Sequence, residues 1–251
     1  MRNDDSNTIA ESYGKQWIEK SDYHAGHAYH RRYQEKFIHQ LFEQNGGGTI
    51  LECGAGTGAI MEKIVSFPEF SSESGASCFS LDNSTTLIKH IKRKGVLRSL
   101  KQINATVEAI PFKSEIFDIV YCISVLWYVP NYQEAIKEMY RIVKPGGCLC
   151  FDVMSVLNVT GASGSLSNII TRLFSRRYRI KYVIPSRISA LLKSLGGTVT
   201  SVGYMPFFPT SLPLLGDLLN IYRISNVIPE VKIKFFQNFC NKVMFNVKKS
   251  E

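Results

Sequence analysis

A chain of 251 residues with 45% hydrophobic and 20% charged residues is long enough to bury the core of one α/β domain, and its composition excludes a disordered, collagenous or disulfide-stapled protein. No run approaches the roughly eighteen apolar residues of a spanning helix, and MRNDDSN is polar and acidic where a secretion signal is basic and then apolar, so a soluble, cytoplasmic protein is expected. The net charge of +9 is uneven: no acid stands between Asp152 and Asp217, while Arg172, Arg176, Arg177, Arg179, Lys181, Arg187 and Lys193 do. Such a stretch suits nucleic acid, an anionic membrane surface, an acidic small molecule or plain solvent.

In chain order, Tyr33, Phe37, Ile38, Leu41 and Phe42 recur at three- and four-residue spacings over residues 27–44 and predict an amphipathic helix stopped by Gly46, Gly47 and Gly48. Strands are then expected at 49–53, 77–81, 103–107, 117–123 and 147–153, with helices running to about Ser66 and over 85–94 and 132–143. Alternation of this kind implies a parallel sheet covered by helices on both faces. Residues 155–184, rich in Ser, Gly and Arg, precede a helix at 187–195 and a strand at 198–205. A Pro- and Leu-rich stretch at 206–239 leads to a last strand at 242–248. The two irregular stretches read as insertions that cover a site. Five of the six cysteines sit in or beside apolar strand runs and no C-x-x-C pair occurs, which predicts buried, reduced thiols and no metal site.

The chemistry concentrates in ILECGAGTGAI, residues 50–60. A buried strand ends in Glu52, and Gly54, Ala55, Gly56 and Gly58 form a turn tight enough for a nucleotide-like ligand to lie on the backbone before the next helix. Gly54-x-Gly56-x-x-Ala59 with Asp82 downstream also fits the dinucleotide fingerprint, so the turn alone leaves a nicotinamide dehydrogenase open. Glu52 argues otherwise, because an acid beside the turn repels a pyrophosphate and suits a cationic ligand that carries an amino acid.

With FSLDNS (79–84), AIPFKSEIFDIVYCISVLWYV (109–129) and EAIKEMYRIVKPGGCLCF (134–151) following in order, residues 49–153 resemble the class I S-adenosylmethionine-dependent methyltransferases, in the group that includes quinone-biosynthesis enzymes. The resemblance implies a Rossmann-like fold with a mostly parallel seven-stranded sheet, helices on both faces and an antiparallel last strand. It implies one domain: an N-terminal helical cap (1–48), a donor-binding core (49–153) and acceptor-side insertions with the last strands (154–251). It implies S-adenosyl-L-methionine as cofactor and S-adenosyl-L-homocysteine as product. On that reading Asp82 accepts both ribose hydroxyls, Asn83 flanks the adenine, Thr106 and Val107 hold the place of an adenine-binding aspartate, and the backbone at Cys122 touches the methionine part. Tyr13, and Arg31 or Arg32, are the expected contributions of the N-terminal segment.

Tyr128 stands where the group often has histidine, so it is read either as a substrate-orienting residue or as a core tyrosine. His24, His27 and His30 fan over a helix face without converging on a metal, and His27 and His30 are the candidates for a general base. Phe207, Phe208, Leu214, Leu215 and Tyr222 point to a small, largely apolar acceptor of natural-product, quinone or lipid type, with the basic stretch suited to an anionic group and peripheral membrane contact left open. The rivals are an RNA methyltransferase and a donor-binding protein without turnover. Against RNA, the chain after the fourth strand reads CISV and carries no added RNA-binding module.

Overall fold

The computed structural model describes residues 48–66, 77–95, 100–156, 181–205 and 242–251, together with Ala10, Glu11, Gly14, Lys15, Ile18, Ile38, His39, Leu41 and Phe42. Strands β1 (Thr49–Cys53), β2 (Ser77–Asp82), β3 (Lys101–Asn104), β4 (Phe117–Cys122), β5 (Val143–Ser155), β6 (Tyr182–Val183), β7 (Gly197–Met205) and β8 (Lys242–Lys249) form one sheet. Their order is β3-β2-β1-β4-β5-β8-β7, with β6 paired to β5 off that path. β8 runs antiparallel to β5 and β7, and the remaining pairs are parallel.

The sheet therefore has eight strands, one more than the seven expected. The addition is the two-residue β6, too short to carry a period in sequence, which pairs Tyr182 with Met154 and Val183 with Ser155. The strand expected at 103–107 is Lys101–Asn104: Ala105 N–H still bonds Asp82 O, but Ala109 N–H bonds Thr106 O and turns the chain away. Lys144-Pro145-Gly146-Gly147, which reads as a turn before the fifth strand, loops out within it. Pairing jumps from Phe117–Val143 to Ile119–Cys148, Gly146 takes φ +73°, and Lys144 Nζ holds both Asp118 oxygens at 2.9 Å.

Alternation along the strands splits the core between two faces. Helix α1 (Ala59–Ile64) and α2 (Thr85–Arg93) bury Met61, Ile64 and Ile91 with Ile38, Leu41 and Phe42 against Ile50, Ile119, Tyr121 and Cys150. On the other face α3 (Tyr132–Ile142) and α4 (Pro185–Ser194) bury Ile136, Met139, Ile188 and Leu192 against Leu51, Val120, Leu149 and Phe245. The helical state of Ile38, His39, Leu41 and Phe42 agrees with the amphipathic pattern ahead of β1. Cys53, Cys122 and Cys150 are buried free thiols, Cys148 is buried, and Cys78 is half-buried and free; Cys240 lies outside the described residues.

The order of winding reverses between the parallel strands β1 and β4: from β1 the chain adds β2 and β3 on one side, then crosses back to add β4 and β5 on the other. The carboxyl ends of β1 and β4 thus flank the topological switch point, where ligands of open α/β sheets bind.

Candidate active site

The glycine turn leaves β1 at that switch point. Gly54, Gly56 and Gly58 have φ of +76°, +56° and +74°, the left-handed region that a side chain disfavours. Gly54 and Ala55 donate N–H to Leu81 O at 2.7 and 3.0 Å, which folds the turn over the end of β2. A Cβ on Gly54 would lie 2.3 Å from Val125 Cγ2, so the loop after β4 packs directly on this residue. A Cβ on Gly56 would meet nothing within 4 Å, leaving its surface open to a ligand.

Asp82 closes β2 beside the turn and is buried. Its Oδ2 accepts Gly56 N–H and its Oδ1 accepts Ser84 N–H, both at 2.9 Å. A carboxylate offers about four lone-pair sites, so with Asn83 N–H as a third donor the geometry still leaves acceptor capacity for a ribose hydroxyl. The cap of α2 is Ser84, whose Oγ accepts Leu87 N–H at 3.3 Å. Burial raises the Asp82 carboxyl above its ordinary value against the pull of N–H groups from Ser84, Gly56 and Asn83. Asn83 is half-buried next to it, and Thr106 (half-buried) and Val107 (buried) follow β3 in the turn over the neighbouring strand end.

Glu52 is buried on the face shared with Tyr121, whose hydroxyl hydrogen-bonds its carboxyl. Glu52 Oε2 is buried with no hydrogen-bond partner among the described residues. Desolvation, then the Asp82 charge, push its carboxyl well above the ordinary range, against Tyr121 and Lys94. An orphaned buried carboxylate oxygen fits a ligand that brings a cationic N–H donor, as the amino group of S-adenosylmethionine does. Cys122, wholly buried, ends β4 in register with Phe151, at the carboxyl end of a strand that flanks the switch point.

The structure adds groups that sequence reasoning missed. The Glu11 carboxylate sits on the first turn of α2, accepting Thr85 N–H and Thr85 Oγ1–H at 2.5 Å and Thr86 N–H at 3.1 Å. Desolvation opposes ionisation there, but the hydrogen bonds from Thr85 and Thr86 outweigh it and lower the carboxyl to about 2. The N-terminal segment is thereby tied next to Asp82. Beyond β4, Ser124 takes φ +64° and its N–H donates to Asp152 Oδ1 at 2.6 Å. Lys242 Nζ reaches Ser124 Oγ at 3.2 Å and lies 4.5 Å from the centre of the Trp127 ring. A lone acid in CLCFDV and a lysine opening an apolar strand were the available signals.

Tyr128 is half-buried in the 3-10 turn Leu126–Tyr128 after β4, its ring 5.8 Å from that of Trp127. Tyr13, Arg31, Arg32, His24, His27 and His30 lie outside the described residues, as do 157–180 and 206–241 with Phe207, Phe208, Leu214, Leu215 and Tyr222. Among the described residues no cluster of His, Cys, Asp and Glu could hold a metal ion, and no helix is long and apolar enough to cross a membrane.

Residues 51–151 match the family model described as a methyltransferase domain. The chain is 25% identical over 142 residues to malonyl-[acyl-carrier protein] O-methyltransferase of Enterobacter lignolyticus, covering 57% of this chain and 53% of that one. It is 32% identical over 107 residues to the ubiquinone/menaquinone biosynthesis C-methyltransferase UbiE of Citrobacter koseri, 41% of each chain. The chain thus spans about half the length of the curated relatives it matches or less. In fold it is similar to the N-methyltransferase NodS of Bradyrhizobium japonicum in complex with S-adenosyl-L-homocysteine, with a TM-score of 0.60 at 12% identity over 97% of this chain and 100% of that one. The acid-flanked glycine turn and Asp82 both lie within residues 51–151, the part of the chain that is similar to a methyltransferase domain.

Proposed function

We propose that this protein transfers a methyl group from S-adenosyl-L-methionine to a small, largely apolar acceptor with an anionic oxygen. The observation that carries the donor half is the buried, unpartnered Glu52 Oε2 at the end of β1, beside a glycine turn whose Gly56 face is open. The donor supplies a methyl already activated on a sulfonium, so the protein's contribution is positioning and exclusion of water. Glu52 receives the amino group, Asp82 the ribose hydroxyls, Asn83, Thr106 and Val107 border the adenine, and the backbone at Cys122 meets the methionine part. Tyr13 and Arg32 close over the donor from the N-terminal cap. Supporting this, Glu11 ties that cap to the first turn of α2, next to Asp82.

The acceptor half rests on the apolar and basic content of 155–184 and 206–239, with Tyr128 orienting the acceptor and His27 or His30 accepting its proton where a hydroxyl is methylated. One domain in the cytoplasm, with its cap at 1–48 and its acceptor cover at 154–251, completes the proposal. The names of the relatives, a quinone-pathway and an acyl-carrier-protein methyltransferase, favour a small-molecule acceptor over RNA. The test is incubation with methyl-tritiated S-adenosylmethionine and, in parallel, hydroxylated naphthoquinones, phenolic acids and total RNA. Label in the organic extract that disappears on deletion of residues 208–238 supports the proposal. Salt-sensitive label in RNA that survives the deletion overturns it.

A further inference from the structure

Three distant parts of the chain meet at the carboxyl ends of β4 and β5. Lys242 opens β8 opposite Met154 and is only 9% exposed, although lysine is seldom buried. Its ammonium has three N–H bonds. Among the described residues it makes one hydrogen bond, to Ser124 Oγ at 3.2 Å, and lies over the face of Trp127 at 4.5 Å, which leaves donor capacity for a further oxygen. Asp152 is wholly buried, holds Ser124 N–H at 2.6 Å, and its charge favours the ammonium against the burial that lowers it.

A staple between β8 and the loop after β4 would need no charge: an uncharged donor or an apolar contact would hold Ser124 without desolvating a cation. The position is also informative. Ser124, held at φ +64°, precedes Val125, the residue packed on Gly54 of the donor turn. Lys242 thus stands two residues, Ser124 and Val125, removed from the donor turn, on the β4 and β5 side of the switch point and away from Asp82. It also stands just beyond 206–239, the stretch proposed above to cover the acceptor.

We propose that Lys242 is the acceptor-side cation of this methyltransferase, its ammonium receiving an anionic phenolate, enolate or carboxylate oxygen of the acceptor. The inference rests on the methyltransferase reading, and it assigns recognition of the anion to one lysine in place of the basic stretch 172–193.

The experiment titrates 2-naphthoate and its uncharged isostere 2-naphthamide into the full chain saturated with S-adenosylhomocysteine. The acid should bind about tenfold more tightly than the amide, as for one charge-assisted hydrogen bond. Lys242→Met should bring the acid to the level of the amide and leave binding of the amide and of S-adenosylhomocysteine unchanged, while Lys242→Arg keeps the preference for the acid. Absence of saturable naphthoate binding, equal binding of acid and amide to the wild type, or equal loss of both in Lys242→Met would overturn the proposal. Should Lys242→Met not fold, the wild type decides. With 13Cε-labelled lysine, the Lys242 signal, displaced by the Trp127 ring, should move with naphthoate and not with naphthamide; a signal that ignores naphthoate overturns the inference. Failure of the wild type to bind S-adenosylhomocysteine would instead overturn the donor reading beneath it.

Discussion

Replacing Glu52 by glutamine separates the stability of this fold from its function. In the free protein desolvation raises the Glu52 carboxyl well above its ordinary value of 4.5, with the Asp82 charge adding to it. A carboxyl raised on folding contributes stability that is fully present below its unfolded value and is lost as pH rises towards the folded value. Across that window the loss is about 1.4 kcal/mol per pH unit, the worth of one pKa unit of differential proton binding. Glutamine cannot ionise, so Glu52→Gln should remove this slope. The variant should match the wild type near pH 4 and exceed it increasingly above pH 5, the difference between the two proteins cancelling every other titrating group. Binding runs the opposite way: a cationic amino group favours the ionised carboxyl, so donor binding should release a proton and tighten with pH. Loss of one charge-assisted hydrogen bond of about 1.5–3 kcal/mol should weaken S-adenosylhomocysteine roughly ten- to a hundredfold in Glu52→Gln. Differential scanning calorimetry from pH 4 to 8 reads the first effect, and isothermal titration in buffers of different ionisation enthalpy reads the second. A variant that is less stable than the wild type at pH 8 and binds S-adenosylhomocysteine equally well would refute the reasoning.

Asp82→Asn turns an amide N–H towards Gly56 N–H or Ser84 N–H, and titration should show S-adenosylhomocysteine weakened by roughly ten- to a hundredfold; unchanged affinity in a folded variant contradicts the ribose assignment. Gly54→Ala must displace Val125 from 2.3 Å as well as strain the left-handed backbone, so it should lower stability by about 2–4 kcal/mol, whereas Gly56→Ala should cost only the strain, about 1–2 kcal/mol. Equal melting temperatures would show that the loop after β4 does not bear on the turn. Lys249 Nζ donates to Val143 O at 2.9 Å and to Tyr140 O and Arg141 O at 3.4 Å at the end of α3, so Lys249→Met should cost about 1–3 kcal/mol in urea unfolding without touching donor binding; an unchanged midpoint would contradict that role.

The donor half was legible because it is local in sequence. Glu52 and the three glycines lie within one strand and turn, and Asp82 ends the next strand, which pairs with β1 from Thr49–Ser77 to Cys53–Leu81. Adjacent parallel strands bring their carboxyl ends together, so Glu52, the glycine turn and Asp82 meet at one end of the sheet. The cluster of Ser124, Asp152 and Lys242 was not legible for the complementary reason. Ser124, Asp152 and Lys242 come together only through the parallel pairing of β4 with β5 and the antiparallel pairing of β5 with β8. No periodicity predicts that register across the 206–239 insertion. Lys144-Pro145-Gly146-Gly147 shows an intermediate case: its bend was readable from proline and glycine, while its place inside β5 depended on Phe117–Val143 pairing that only the fold reveals.

The most direct test of the central claim is isothermal titration of the full chain with S-adenosylhomocysteine and, separately, with NAD. Saturable one-to-one binding of S-adenosylhomocysteine, lost in Asp82→Asn, with no heat from NAD, is the predicted result. Saturable binding of NAD with none of S-adenosylhomocysteine would contradict it.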